Sequence, residues 1–175
     1  MSAESQSNFI KRVRSFYSRK GRHDLPWRQS TDAYRVLVSE MMLQQTQVER
    51  VIPKYEAFMA TYPDVCSLAN ASLGDVLRLW QGLGYNRRAK LLHQCAQKIC
   101  HNHNGIFPNT APQLEALPGI GPYTAGAVLA FAFNSAVPII ETNIRTVYLH
   151  HFFNDQTDVS DKEVMQLVEE TLDIK

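Results

Sequence analysis

Apolar residues recur every three or four positions along nearly the whole chain, and no segment alternates with a sustained period of two. This spacing predicts amphipathic helices and no substantial sheet. Residues 5–20 are predicted to form a basic helix with one apolar stripe, made of Phe9, Ile10, Val13, Phe16 and Tyr17. Further helices are predicted from Ala33 to about Gln44, then to about Thr61, at about 64–70 and 73–81, over 85–103, on both sides of 117–126, from about Asn143 to Phe153, and from Ser160 onward. The sequence therefore predicts a compact all-α fold of about ten short helices.

Short polar side chains stand where several of these helices are expected to begin. Thr31 or Asp32 can cap the helix that starts at Ala33. Ser160 and Glu163 have the three-residue spacing of a capping box, and so do Ser72 and Asp75. We expect each pair to cap the helix that follows it.

Residues 117–126 join two apolar helical segments through a glycine-rich turn. Gly119 and Gly121 suit a sharp backbone turn without side chains, and Pro122 suits the first position of a helix. The segment predicts a helix, a tight hairpin and a second helix over about residues 110–133. Backbone N–H groups beside a helix N-terminus suit a phosphate oxygen, so Gly119, Gly121, Tyr123 and Thr124 are candidate nucleic-acid contacts. The alternative is an ordinary helical corner without a ligand.

The formal net charge is only +1, but the charges are unevenly distributed. Residues 10–28 and 85–104 are basic, whereas the segment from 155 onward is acidic. This polarity is compatible with a basic face that binds phosphates, whereas each run taken alone is explained better by solvated helix surface. The N-terminus lacks the pattern of a signal peptide, and no apolar run approaches the length of a membrane span. Three cysteines do not suggest a disulfide framework, so we expect a reducing cytoplasmic location without membrane association.

Glu40 stands in a stretch, residues 35–43, that is otherwise almost wholly apolar. Poor solvation of a carboxylate disfavours its charged form and raises its pKa, which makes a proton donor near neutral pH. The alternative is a helical glutamate that reaches water or pairs with an arginine such as Arg35.

Glu141 follows an apolar run and precedes Asn143 at an expected helix start. A carboxylate close to a helix N-terminus is stabilised as an anion. One carboxyl group pushed toward neutrality and a second kept charged suit cleavage of a glycosidic bond. Simple helix capping together with Asn143 is the alternative for Glu141.

Residues 44–47 and 82–88 add amide, aromatic and basic side chains of the kind that contact nucleic acid. Gln44 and Gln45 suit base edges or the gap left by an extruded base. Tyr85, on a glycine-hinged loop, suits a wedge in the base stack, and Arg87 or Arg88 suits phosphates. The alternative is a solvent-facing turn and a helix start packed by a tyrosine. One further group, His93, Cys95, Cys100, His101 and His103, matches no familiar zinc spacing, so we expect packed cysteines, exposed histidines and no metal.

Four segments besides the hairpin resemble the helix-hairpin-helix DNA glycosylase superfamily, and within it the MutY-type adenine DNA glycosylases. They are residues 25–28 (Leu-Pro-Trp-Arg), 39–48 (Ser-Glu-Met-Met-Leu-Gln-Gln-Thr-Gln-Val), 79–85 (Leu-Trp-Gln-Gly-Leu-Gly-Tyr) and 138–145 (Pro-Ile-Ile-Glu-Thr-Asn-Ile-Arg). The resemblance implies one helix-hairpin-helix glycosylase domain over 1–175. It implies a monomer, associated with the nucleoid, that acts on double-stranded DNA holding a mismatched or damaged base.

The resemblance also implies roles for individual residues. Glu40 matches the acid that protonates adenine at N7, Gln45 and Tyr85 match wedge positions, and Asn143 matches a supporting asparagine. Glu141 stands where the family carries the aspartate that stabilises an oxocarbenium ion. Tyr123 stands where strand-cutting relatives carry a nucleophilic lysine, which implies a monofunctional glycosylase.

The sequence departs from the family pattern in three ways. Glu141 is one methylene longer than the aspartate. Neither the four-cysteine iron–sulfur loop nor the separate domain that recognises oxidised guanine is within the 175 residues, so we expect no iron–sulfur cluster and a chain that is short at its C-terminal end. The favoured function is excision of adenine opposite guanine or oxidised guanine. A thymine or uracil mismatch glycosylase, a DNA-binding module without catalysis and a plain helical scaffold are the alternatives.

Overall fold

The computed structural model describes residues 3–154 and 156–172, and these ranges contain helices and no strand. The α-helices are α1 (Ala3–Lys20), α2 (Ala33–Leu43), α3 (Val48–Thr61), α4 (Val65–Ala69), α5 (Leu73–Trp80), α6 (Asn86–Asn102), α7 (Ala111–Glu115), α8 (Pro122–Phe133), α9 (Thr142–Phe152) and α10 (Asp161–Glu170). A 3-10 helix at Pro26–Arg28 lies between α1 and α2. The predicted all-α fold is confirmed. None of the described helices is both long and apolar enough to cross a membrane.

The predicted side-chain caps account for the starts of several helices. Asp32 accepts a hydrogen bond from Arg35 N and so caps α2, which resolves the choice between Thr31 and Asp32. Ser72 accepts from the backbone N–H of Asp75 at the start of α5. Ser160 and Glu163 bond reciprocally at the start of α10 as a capping box. These local bonds satisfy N–H groups that have no partner within the helix.

Residues 24–134, which carry α2 to α8, form one compact unit. α2 runs through its centre, where Val38 and Met42 are fully buried. Phe58 of α3, Trp80 of α5 and Ile99 of α6 are also completely buried in this unit. Burial of this kind supplies most of the free energy that holds short helices together.

The described residues of the flanking segments, 3–23, 135–154 and 156–172, form the second unit with α1, α9 and α10. Its core centres on Val159, Val164 and Val168. The Phe9 ring of α1 lies 5.1 Å from the ring of Tyr148 and 4.8 Å from that of Phe152, both on α9. Phe9 is therefore the apolar anchor of α1 within this unit.

The rest of the predicted stripe on α1 is exposed. Val13, Phe16 and Tyr17 expose 45%, 64% and 50% of their surface. The predicted helix is present, but only Phe9 and the half-buried Ile10 of its apolar stripe are covered. Helical periodicity indicates which side chains share a face, but it does not indicate how much of that face is covered.

Cys66 and Cys100 form a disulfide, which contradicts the expectation that the cysteines serve only as packing. The bond joins α4 to α6, whose Cα atoms at these positions are 5.3 Å apart. Helix packing brings together two residues that lie 34 positions apart in sequence, and an odd cysteine count does not exclude one such pair. The third cysteine, Cys95, is buried on α6, and burial raises the pKa of its thiol to about 12.

Candidate functional site

The glycine-rich turn connects α7 to α8 as a tight hairpin. Gly119 has φ of +78°, and a Cβ atom built there would lie 2.8 Å from Leu91 Cβ. This position therefore requires glycine on two grounds, backbone conformation and close packing. Gly121 differs from the expectation: its φ of −96° and ψ of 177° are extended, and an added Cβ would meet nothing within 4 Å.

The N-terminus of α8 follows this hairpin without a side-chain cap. Pro122 occupies the first helical turn, as predicted. Gly119, Gly121 and Tyr123 are exposed, whereas Thr124 is buried with 4% of its surface accessible. The backbone N–H groups of the exposed residues Gly121 and Tyr123 are candidates to meet an anion, whereas the Thr124 side chain faces the protein interior.

Glu40 lies in the last turn but one of α2. Its chain neighbours Ser39 and Met41 are each only 2% exposed, and Glu40 itself is half-buried. Its role as an acid stays a prediction.

Gln45 and Tyr85 share an unusual backbone conformation. Their φ values are +53° and +48°, and both side chains are exposed, Tyr85 to 63%. The remaining non-glycine residues with positive φ in the described ranges are two asparagines, Asn104 and Asn134. Asparagine tolerates this region, whereas glutamine and tyrosine adopt it at a cost. The two predicted wedge residues are thus exposed and conformationally strained.

Arg88 does not lie at the surface, where a phosphate contact would need it. It is 8% exposed, and its guanidinium donates to backbone carbonyls of α2 and of the loop before α6. Burial lowers the pKa of the guanidinium from its ordinary value. The interpretation of Arg88 as a phosphate contact is contradicted by this geometry. Arg87, by contrast, is exposed and keeps its predicted role.

Glu141 and Asn143 belong to the second unit, at the start of α9. Glu141 Oε1 accepts a hydrogen bond from Ile144 N at 2.9 Å, and Oε2 accepts from Asn143 Nδ2 at 3.2 Å. Helix capping by Glu141, with Asn143 attached, is therefore present. Capping holds the carboxyl group in a fixed place beside the positive end of a helix, where an anion is favoured.

The histidines and cysteines of α6 are distributed around the helix. His93 is buried with 6% exposure and its ring bonds to Ala71 O at 3.0 Å, which contradicts its expected surface position. His101 is exposed. Within the described residues, no three His, Cys, Asp or Glu side chains come together as metal ligands. The cysteines present do not fit an iron–sulfur cluster, because two are joined to each other and the third is enclosed.

The hairpin, Glu40 of α2 and the capped start of α9 all lie in a region of the chain that matches one protein family. Residues 38–173 match the HhH-GPD superfamily, described as base excision DNA repair proteins. The chain belongs to the HhH-GPD superfamily. Most of the chain, including α2 to α9 from Val38 on, lies within the matched region.

Curated HhH-GPD relatives of this chain include adenine DNA glycosylases. The chain is 47% identical over 127 residues to that of Mycolicibacterium smegmatis, covering 72% of the chain and 43% of the relative. It is 37% identical over 165 residues to that of Buchnera aphidicola, covering 94% and 46%. It is 43% identical over 142 residues to that of Homo sapiens, covering 76% and 26%. The chain thus spans less than half the length of these relatives.

Solved HhH-GPD structures share the fold. A thermostable thymine-DNA glycosylase has a TM-score of 0.86 at 23% identity, covering 96% of this chain and 78% of that protein. An endonuclease III trapped as a covalent DNA intermediate has a TM-score of 0.82 at 16% identity, covering 99% and 79%. At these identities the likeness shows the fold alone.

Proposed function

We propose that this chain is the glycosylase part of an adenine DNA glycosylase, which removes adenine mispaired with guanine or oxidised guanine. The observation that carries the proposal is the 46–47% identity to mycobacterial adenine DNA glycosylases over 127–134 residues. Structural likeness to a thymine-DNA glycosylase supports the fold and not the base, because only 23% of residues are identical.

The hairpin and the exposed Arg87 side chain supply binding to the DNA backbone in this proposal. The exposed residues Gly121 and Tyr123 lie at the start of α8, and the N-terminus of a helix attracts phosphate oxygens. Arg87 adds an exposed cation two residues after Tyr85. Phosphate contacts release counterions, so affinity should fall steeply as salt rises.

Gln45 and Tyr85 act as wedges at the extruded base. Both are exposed and held in fixed, unusual backbone conformations. Extrusion of a base costs a few kcal/mol and costs less at a mismatch, so a wedge that fills the vacated space favours mispaired sites.

The chemical step is hydrolysis of the N-glycosidic bond. Following the family resemblance, Glu40 donates a proton to adenine N7, and the bond from the base to the sugar C1′ then breaks. The Glu141 carboxylate stabilises the positive charge that develops on the sugar, and water adds at C1′ to leave an abasic site. Tyr123 offers no amine for a Schiff base, so the strand stays intact and the enzyme is monofunctional.

Glu141 should tolerate shortening. Aspartate is a preferred capping residue and reproduces the shorter reach of the family, so Glu141→Asp is expected to preserve or increase the single-turnover rate. Complete loss of turnover would show instead that this site is built around the longer side chain.

A panel of defined mispairs tests the proposal. Duplexes with adenine, thymine or uracil opposite guanine, and adenine opposite oxidised guanine, are incubated with the 175-residue chain and then treated with alkali. We expect cleavage at adenine only, and only after alkali. Cleavage at thymine or uracil would favour the mismatch alternative, cleavage before alkali would contradict monofunctional chemistry, and salt-dependent binding without any base release would indicate a module that lacks catalysis.

A further inference from the structure

Arg88 of α6 is a buried cation without a carboxylate beside it in the bonds that the structure shows. Its four terminal N–H groups are shared among six oxygen acceptors. An unpaired buried charge is costly, so a chain keeps one only where many dipoles compensate it. The acceptors therefore indicate what this residue is for.

Four of these acceptors come from the end of α2 and the turn after it. Nη1 donates to Met41 O at 2.9 Å, to Met42 O at 3.1 Å and to Gln44 O, and Nη2 donates to Thr46 Oγ1 at 3.1 Å. The carbonyls in the last turn of a helix lack intrahelical partners and carry partial negative charge. Arg88 thus holds the C-terminal end of α2, the helix that carries Glu40. It also holds Gln44 and Thr46, the two residues that flank Gln45.

The other two acceptors come from the loop before α6. Nη2 donates to Leu83 O at 3.2 Å and to Gly84 O at 3.3 Å. The guanidinium carbon lies 5.6 Å from the Trp80 ring centre and 5.3 Å from that of Tyr85. Both distances are within the range of a cation–π contact. The same cation therefore touches the Tyr85 ring and the backbone immediately before it.

Gln45 and Tyr85 both occupy the left-handed region, which is sterically unfavourable for a residue with a side chain. Such conformations persist only where surrounding contacts enforce them. The Arg88 bonds reach the backbone of Gln44 before Gln45, the side chain of Thr46 after it, and the backbone of Gly84 before Tyr85. These bonds, all made by one side chain, can restrain both conformations at once.

We propose that Arg88 is a positioning residue that holds the two wedge residues, Gln45 and Tyr85, in one fixed arrangement for entry into an opened duplex. This inference rests on the proposed function for the identity of the wedges. It assigns Arg88 no contact with DNA. Lysine cannot replace it fully, because an ammonium group is a point donor that cannot span six acceptors in two segments.

The test compares Arg88→Met and Arg88→Lys with a matched control, Arg87→Met, which removes the exposed neighbouring charge. Three quantities are measured: hydrogen exchange of the free protein, fluorescence of 2-aminopurine placed opposite guanine in a duplex, and the slope of log affinity against log salt. Single-turnover base release from a guanine–adenine mispair is followed in parallel.

We expect both Arg88 variants to raise exchange about tenfold or more at residues 44–46 and 83–86 while exchange in α3 and α4 changes less. The 2-aminopurine signal and the rate of base release should fall about tenfold or more, with the salt slope unchanged. Arg87→Met should instead reduce the slope by about 0.9, and with the duplex saturated by protein its 2-aminopurine signal should exceed that of either Arg88 variant.

Two results would overturn the inference: a reduced salt slope in the Arg88 variants with normal 2-aminopurine fluorescence, or exchange that rises in neither or only one of the two segments. If Arg88→Met does not fold, Arg88→Lys decides the question with the same measurements. A wild-type chain that releases no base from any mispair would refute the proposed function. In that case hydrogen exchange and 2-aminopurine fluorescence would still test whether Arg88 positions Gln45 and Tyr85.

Discussion

The hairpin at Gly119 and the pair of turns at Gln45 and Tyr85 reach left-handed backbone by opposite means. Gly119 does so at φ of +78° because it has no side chain. The need for glycine there can be predicted from the ten residues 117–126 alone. Gln45 and Tyr85 do so at +53° and +48° with full side chains, under bonds from a single distant arginine.

The difference separates a local device from a long-range one. The positive φ of Gly119 needs no bond from a distant residue, although the close approach of Leu91 adds a second requirement for glycine there. The Arg88 arrangement joins residues 42–47 positions apart on one side and 4–5 apart on the other, so it exists only once α2 and α6 have packed. A site built in the second way keeps strained, exposed side chains ready for a ligand at the cost of depending on the whole unit.

Reduction of the Cys66–Cys100 disulfide should have the largest effect on stability. The bond closes a separation of 34 residues and anchors α6 near the end opposite Arg88. Loop entropy predicts a loss of about 4 kcal/mol in the free energy of unfolding, measured by urea denaturation with and without reductant. Hydrogen exchange at 44–46 and 83–86 should stay no faster than global unfolding of the reduced protein allows, because the Arg88 bonds are intact. The variant Cys100→Ser should not respond to reductant, and equal stability of the oxidised and reduced wild type would contradict the prediction.

Gly119→Ala should follow. The added Cβ would lie 2.8 Å from Leu91 Cβ and 3.3 Å from Met41 Cε, at a positive φ. Backbone strain and overpacking together predict a loss of about 3 kcal/mol by urea denaturation. Gly121→Ala is the control, because its backbone is extended and its Cβ would meet nothing within 4 Å, and it should cost under about 1 kcal/mol. Equal losses in the two variants would show that the hairpin does not depend on Gly119 as described.

Arg88→Met should lower the free energy of unfolding by about 2 kcal/mol, because buried carbonyls lose a charged donor. Arg87→Met removes an exposed side chain and should change it by less than about 0.5 kcal/mol. A loss in Arg88→Met no greater than that in Arg87→Met would indicate that the six bonds contribute little to the folded state.

Removal of a purely local cap should have the smallest effect. Ser160→Ala breaks the capping box of α10 and should lower the free energy of unfolding by about 1 kcal/mol.

Bonds from Ser160 lower the pKa of Glu163 from its ordinary value of 4.5. A carboxyl group with a lowered pKa stabilises the fold above its unfolded pKa, and that stabilisation is lost as pH falls through the folded pKa. Denaturation curves between pH 3 and 6 should therefore show a shallower acid loss in Glu163→Gln than in the wild type, and identical slopes would refute the link.

Features that depend only on neighbouring residues could be predicted from the sequence. The cap at Asp32, the box at Ser160 and the hairpin before Pro122 each depend on residues within a few positions, and all are present. Family motifs also identified Glu40, Gln45 and Tyr85 as candidates, whose roles stay predictions.

Other features could not be predicted from the sequence, because they depend on packing between distant segments. The burial of Arg88 and His93 and the pairing of Cys66 with Cys100 follow from α6 lying against α2 and α4. A basic residue beside an exposed arginine carries no local signal that it points inward. The one available hint was its place one turn after a Gly-Leu-Gly-Tyr loop, where a buried donor can reach loop carbonyls.

Release of free adenine is the most direct test of the proposed function. The wild-type chain and Glu40→Gln are each incubated in excess over a guanine–adenine duplex, with Glu56→Gln, an exposed glutamate on α3, as the matched control. Adenine is identified by mass spectrometry and DNA affinity is measured on the same samples. We predict adenine release by the wild type and by Glu56→Gln, and none by Glu40→Gln with affinity within several-fold of the wild type. Equal adenine release by Glu40→Gln, or DNA binding by the wild type without any released base, would contradict the account.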